Sequence, residues 1–190
     1  LISGNTRHGI ELLGMQNSIN VNLIGTTASG LTALPNGMDG VHVGGGCCVL
    51  ITRNLISGNS GTGIAFGIPG QIPVGTVQIV DNTIGTNLHG TAALANLSGI
   101  IGQGDGISIT GNLISGNTGN GIGAMGLHWD IRANRIGCDS AGRVAIPNGG
   151  GITVSSTVHA STDSITIGGG APSHGNVISG NKGSGVLISG

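Results

Sequence analysis

The stretch Asn112–Gly121, NLISGNTGNG, followed by Ile122, decides how this chain is read, because it recurs. Leu1–Ile10 reads LISGNTRHGI, Asn54–Ile64 reads NLISGNSGTGI and Asn176–Val186 reads NVISGNKGSGV. A second version alternates with the first. Asn22–Asn36 is NLIGTTASGLTALPN, Asn82–Asn96 is NTIGTNLHGTAALAN and Asn134–Asn148 is NRIGCDSAGRVAIPN. Cutting after each leading Asn gives coils 1–22, 23–54, 55–82, 83–112, 113–134, 135–176 and a partial 177–190, with no residue outside the repeat. Coils 1–22 and 113–134 align without a gap and define the minimal unit. Self-similarity at such a period marks a solenoid, with 1–190 as one domain.

Each minimal coil carries three short apolar-alternating runs. In the first these are Leu1-Ile2-Ser3, Gly9-Ile10-Glu11-Leu12 and Ser18-Ile19-Asn20-Val21. Alternation of period two predicts strands with one buried face, and Gly punctuates runs too short for helices. Three positions repeat down the chain. Ile2, Ile24, Ile56, Ile84, Ile114, Ile136 and Ile178 share one; Ile10, Val41, Ile64, Ile100, Ile122, Ile152 and Val186 another; Ile19, Ile51, Ile79, Ile109 and Ile131 a third. Strands of one coil are joined by turns too short to let them pair with each other. Each can pair in parallel with its counterpart in the next coil. The expected fold is all-β: a parallel β-helix of about seven coils and three sheets around a narrow aliphatic core. Its rungs would lie about 4.8 Å apart, in a cylinder on the order of 30 Å long. The crossover rule makes it right-handed.

Asn22, Asn54, Asn82, Asn112, Asn134 and Asn176 recur at one corner, and Asn5, Asn59, Asn117 and Asn181 at another. An amide side chain is donor and acceptor at once, so stacked Asn residues can bond along the axis, and Asn tolerates the left-handed turn a corner needs. A structural ladder is expected at both corners rather than sugar ligands. Alternate coils are longer at one corner. Ile2 to Ile10 spans 8 residues, whereas Ile24 to Val41 spans 17 and Ile84 to Ile100 and Ile136 to Ile152 each span 16. The corner loops 25–40, 85–99 and 137–151 should therefore line up on one side. Further insertions fall between Phe66 and Val77 and between Ser155 and Gly175.

Gly accounts for 41 of 190 residues, aromatics for 1% and charged residues for 7%, with a net charge of −1. That balance fits neither disorder nor collagen, and it suits thin stacked layers of aliphatic contacts. Six Lys plus Arg make no basic patch, which excludes nucleic acid as a natural partner, and no apolar run reaches the length of a membrane span. Cys47, Cys48 and Cys138 have no metal-ligand spacing and are expected as free thiols, buried or half-buried.

The NxISGN and NxIGTxxxG repeats resemble those of bacterial secreted or surface β-helix proteins, and more broadly the right-handed β-helices of the pectin-lyase-like superfamily. The resemblance covers all the coils. It implies an extracellular or cell-surface location, and it admits polysaccharide lyases, hydrolases and adhesins alike. The residues favour a non-enzymatic scaffold. Glu11, Asp39, Asp81, Asp105, Asp130, Asp139 and Asp163 show no paired arrangement of the kind glycoside hydrolysis needs, and Trp129 and Phe66 are the whole supply of aromatic platforms. The six His residues fall at unrelated coil positions, with His42 expected to point outward, so neither catalytic residues, a cofactor nor a metal is expected. Arg53 and Asp81, one coil apart, should pair at the surface. Thr52 with Thr110, and Thr26 with Thr86, form no unbroken row, which argues against ice binding.

The two ends lack the polar terminal repeats that solenoids use as caps, since Leu1–Gly14 aligns gaplessly with Val177–Gly190. Leu1, Ile2, Val186, Leu187 and Ile188 are thus the expected edges for end-to-end stacking on another copy or for neighbouring repeats of a longer array. A polysaccharide held by the corner loops is the alternative partner.

Overall fold

The computed structural model describes residues 1–67, 74–155 and 164–189. These form short parallel strands linked by turns, with one 3₁₀ turn at Pro172–His174 as their only helical element. In chain order the first strands are β1 (Ile10–Leu12), β2 (Ser18–Asn20), β3 (Leu23–Ile24), β4 (Val41–Val43), β5 (Val49–Thr52) and β6 (Leu55–Ile56). Next come β7 (Ile64–Phe66), β8 (Val77–Val80), β9 (Thr83–Ile84), β10 (Ile100–Thr110), β11 (Leu113–Ile114) and β12 (Asn120–Arg132). The last are β13 (Arg135–Ile136), β14 (Gly150–Ser155), β15 (Ile165–Ile167), β16 (Val177–Ile178) and β17 (Val186–Ser189). No helix among the described residues is long and apolar enough to cross a membrane.

The strands make two parallel sheets, not the three expected. The smaller runs β3-β6-β9-β11-β13-β16 and stacks the Ile of each leading motif, with Ile2 bridging Ile24 beyond its first strand. The other two anticipated sheets are fused. One column runs β1-β4-β7-β10-β12-β14-β17, the other runs through β2, β5, β8 and β15, and both pass through β10 and β12. The cause is spacing. From Ile100 to Ile109 and from Ile122 to Ile131 the chain counts nine residues, so the two segments stay paired throughout, Gly104 beside Gly126 and Asp105 beside Leu127. From Ile64 to Ile79 and from Ile152 to Ile167 it counts fifteen, and the insertions split each strand in two. Those insertions, 66–77 and 155–175, lie partly outside the described residues.

The three repeated aliphatic positions are the core. Ile24, Ile56, Ile84, Ile114 and Ile136 are fully buried, as are Val41, Ile64, Ile100, Ile122 and Ile152, and Ile51, Ile79, Ile109 and Ile131. At about 1.5–3 kcal/mol for each fully buried side chain, these columns are the main source of cohesion. Both aromatic residues join them. Phe66 and Trp129 are buried and stacked at 5.5 Å between ring centroids, and Phe66 lies over Gly102 of the next rung, where any side chain would collide with its ring.

The structure explains why two motifs alternate. The Ser of one motif accepts a hydrogen bond from the Gly backbone of the next: Ser3 Oγ from Gly25 (3.0 Å), Ser57 Oγ from Gly85 (2.9 Å) and Ser115 Oγ from Gly137 (2.9 Å). On its other side Gly85 is pressed against the Ser115 carbonyl and the Asn117 amide, leaving no room for a Cβ. Ser and Gly at this corner therefore interlock rung on rung.

The left-handed residue at the other corner is not the Asn, as anticipated, but the one before it. Val21, Arg53, Asp81, Gly111 and Ala133 have φ of 57°, 54°, 54°, 73° and 56°. The following Asn enforces this by reaching back over it: the Nδ2 groups of Asn22, Asn54, Asn82 and Asn112 donate to the carbonyls of Asn20, Thr52, Val80 and Thr110 at 2.9–3.1 Å. A left-handed β-branched residue is strained by roughly 1–2 kcal/mol. Val21 is 73% exposed, so its side chain contributes little packing. Val21→Gly should raise stability by up to about 1 kcal/mol, after allowing for the greater freedom of Gly in the unfolded chain. The midpoint of urea unfolding reads this directly, and a lower midpoint would contradict the strain argument.

Candidate functional site

The Asn residues form two axial ladders. In the first, Asn22, Asn54, Asn82, Asn112, Asn134 and Asn176 are linked in sequence, the backbone N–H and a side-chain N–H of each donating to the Oδ1 of the next at 2.8–3.2 Å. The Nδ2 groups of Asn54, Asn82, Asn112, Asn134 and Asn176 also reach the carbonyls of Ile19, Ile51, Ile79, Ile109 and Ile131. With Asn54, Asn82, Asn112 and Asn134 at most 2% exposed, their amides have nothing left to offer a sugar.

The second ladder contains more than Asn5, Asn59, Asn117 and Asn181. Asn36, Asn96 and Asn148 fill its alternate rungs, giving Asn5-Asn36-Asn59-Asn96-Asn117-Asn148-Asn181 with amide contacts of 2.8–3.1 Å. The signal was available. Each of these seven lies four or five residues before the next aliphatic core residue, as Asn36 does before Val41 and Asn96 before Ile100. Counting forward from the leading Asn hides this, because the corner loops intervene.

Those loops do align. Leu88 N–H donates to the Gly30 carbonyl (2.9 Å) and Ser140 N–H to the Gly90 carbonyl (3.0 Å), so loops of alternate coils touch. Each closes on a polar residue: Thr27, Asn87 or Asp139 accepts a backbone N–H from Gly30, Gly90 or Gly142 at its own carbonyl. The Asp139 carboxylate also accepts the N–H groups of Arg143 (2.6 Å) and Val144 (3.1 Å). These backbone donors hold its carboxyl below the ordinary aspartate range. Thr26 and Thr86, fully buried, bridge to Ala33 and Ala93 and present no surface row.

The acids remain dispersed. Glu11 stands beside His42 and Asp130 beside Ser108 and Thr166, while Asp105 contacts His128 of the adjacent rung at 2.7 Å. Asp163 lies outside the described residues. Arg53 and Asp81 do not pair as expected; the Asp81 carboxylate turns over Gly111 in the following coil, where no side chain obstructs it. The three thiols are free, and Cys48 is exposed rather than buried. The Cys47 thiol touches that of Cys48 (2.7 Å), which raises its pKa, and burial raises that of Cys138.

One cluster was not foreseen. His8 and His42 are not unrelated: Asp39 gathers them, and their rings stack at 4.4 Å. Neither points into solvent, with side-chain exposures of 6% for His8 and 8% for His42. A carboxylate only accepts, so the His42 proton lies on Nδ1 and is donated to Asp39 Oδ2 at 3.1 Å. His8 Nδ1 accepts the Asp39 backbone N–H at 3.2 Å, which places its proton on Nε2. The other carboxylate oxygen accepts Thr62 N–H at 2.9 Å. Burial, then the adjacent His42, push the His8 imidazole below its ordinary value. The nitrogen, oxygen and nitrogen ligand atoms all lie within 4.8 Å of one another. His8 and Asp39 each sit two residues before a core position, Ile10 and Val41, so backward counting would have placed them side by side.

No protein-family model, curated protein or solved structure matches the chain.

Two outcomes are expected. Asn112→Ala strips the acceptor from the backbone N–H and a side-chain N–H of Asn82 and removes a donor from the Ile79 carbonyl, and should lower stability by at least about 2 kcal/mol, at about 1–3 for each orphaned donor. Asn87→Ala, in an exposed loop, should lower it by less than about 1 kcal/mol. Equal shifts in thermal unfolding would contradict the buried ladder. Because the folded pKa of Asp139 is depressed, its contribution is full above the unfolded value and disappears as pH falls through the folded one. The amide resonances of Arg143 and Val144 should therefore titrate with a midpoint below that of a free Asp, and Asp139→Asn should abolish that titration. A midpoint at or above the free value would refute the assignment.

Proposed function

We propose that this protein is a structural or adhesive scaffold, secreted or displayed on a cell surface, and built as a right-handed β-helix of seven coils of the pectin-lyase-like kind. The observation that carries this reading is the pair of Asn ladders. Thirteen side-chain amides are committed to holding rung to rung, from Asn22 to Asn176 and from Asn5 to Asn181. The surface chemistry points the same way. The chain's one Trp and one Phe are stacked inside the core, so no aromatic platform is left for a sugar ring. The acids described above have no acidic neighbour in the adjoining rung.

A scaffold of this type extends by adding rungs. Among the described residues β17 pairs with β14 alone, and Val186, Leu187 and Ile188 are 41%, 49% and 71% exposed. At the other end Leu1 is 63% exposed, and Ile2 bridges only to Ile24. Further rungs of the same kind, from neighbouring repeats or from another copy, fit both faces. Stacking of copies is a heterologous contact that builds filaments.

Sedimentation and electron microscopy over a wide concentration range, with Leu187→Lys as the variant, test the assembly. Filaments that Leu187→Lys dissolves support stacking, and a monomer at all concentrations removes it. A panel of acidic polysaccharides, assayed for cleavage with and without Ca²⁺, tests the scaffold reading itself. Turnover that is lost with Asp105→Asn or Asp139→Asn would replace it with a carbohydrate-active reading centred on the corner loops.

A further inference from the structure

We infer that His8, Asp39 and His42 form a binding site for a divalent transition-metal ion of the zinc class, which ties the first rung of the solenoid to the second. Two imidazole nitrogens and one carboxylate oxygen are a ligand set that zinc accepts, with a fourth position left for water. At zinc–ligand distances of about 2.0–2.2 Å, neighbouring ligands of a tetrahedral ion stand about 3.3 Å apart. Asp39 Oδ2 is 3.3 Å from His8 Nδ1 and 3.1 Å from His42 Nδ1. Two of the three edges already have the required length, and the third closes within the 4.8 Å limit that encloses all three atoms.

The electron pairs argue for a cation as well. The one lone pair of His8 Nδ1 accepts the Asp39 N–H, and the same nitrogen stands 3.3 Å from Asp39 Oδ2 with no proton between the two. Of the three ligand atoms, only His42 Nδ1 carries a proton, which it donates to Asp39 Oδ2. A metal ion replacing that proton would satisfy all three atoms at once, and the long Asp39 N–H contact to His8 is the bond that yields. The ligands are also preorganised. Thr62 N–H holds the remaining carboxylate oxygen, the two rings brace each other by stacking, and both His side chains are more than nine-tenths buried. Because His8 belongs to the rung of β1 and Asp39 and His42 to that of β4, the ion would bridge neighbouring strands.

Titration of the metal-stripped protein with zinc chloride by calorimetry tests this, with thermal melting in zinc and in chelator as the second readout. The expected result is one ion per chain, a melting temperature that rises with zinc, and affinity lowered by more than about tenfold in His42→Gln and Asp39→Asn. A Cys47→Ser/Cys48→Ser double variant should bind as the parent does, as should Asp105→Asn. Binding that disappears with the cysteines and survives His42→Gln would overturn the assignment, as would no binding at micromolar zinc. Should His42→Gln fail to fold, cobalt substitution of the parent decides. A tetrahedral visible spectrum without a thiolate charge-transfer band supports the site, and a thiolate band or no spectrum refutes it.

Discussion

The constraint on which this architecture depends is the fate of backbone polar groups at its corners. A strand hands its N–H and C=O groups to the strands above and below, but a corner turns some of them inward, where no strand can reach and water is excluded. Left unpaired, each would cost about 1–3 kcal/mol. The Asn amide solves this with one short side chain. Its Oδ1 takes the N–H of the Asn below, one Nδ2 proton goes to the Oδ1 of the Asn above, and the other goes to an Ile carbonyl of the strand that enters the preceding corner. The same reach over Thr110 holds the preceding residue in its left-handed conformation. The ladder is thus at once a hydrogen-bond sink, a turn-former and a register lock.

With polar satisfaction confined to the corners, the strands between them can be short and aliphatic. Most rungs contribute a two-residue strand to the smaller sheet and three or four residues to each column of the larger one. A core this narrow has little room for rings, and the two present share one place, stacked on each other with Gly102 cleared beneath Phe66. The unusual composition follows: many Gly, few charges and almost no aromatics are the material of a thin cylinder whose interior is one aliphatic residue deep per sheet.

Much of this was legible in the sequence, because the signals repeat. The Ile columns, the leading Asn ladder and the alternating loops could all be read by counting forward from NxI. The missed ladder rungs and the missed His cluster share one cause. A corner loop of variable length resets the register, so residues beyond it align only when counted backward from the next core position. Asn36, Asn96 and Asn148 were hidden this way, and so was the meeting of His8 with Asp39 and His42. The merging of two expected sheets into one was hidden for a different reason. It depends on β10 and β12 having equal spacing between their core residues, a property of neighbours that neither segment reveals alone. The left-handed corner position was obscured because three of its five occupants, Val21, Arg53 and Ala133, are not residues that favour that conformation.

The interlock of Ser with Gly has a consequence for how such a chain can grow. A Ser-bearing rung fits under a Gly-bearing one, as Ser57 fits Gly85, and the Gly-bearing rung fits only under another Ser-bearing one, as Gly85 meets Ser115. The corner loops obey the same alternation, Gly30 touching Leu88 and Gly90 touching Ser140 across an intervening loopless rung. Removing or duplicating a single rung would set two loops on adjacent levels and leave a Gly amide without its hydroxyl. Removing or duplicating a pair would preserve both alternations. The heritable unit of this solenoid is therefore the doublet, and lengthening by gene duplication, or by deliberate grafting, should proceed in even steps.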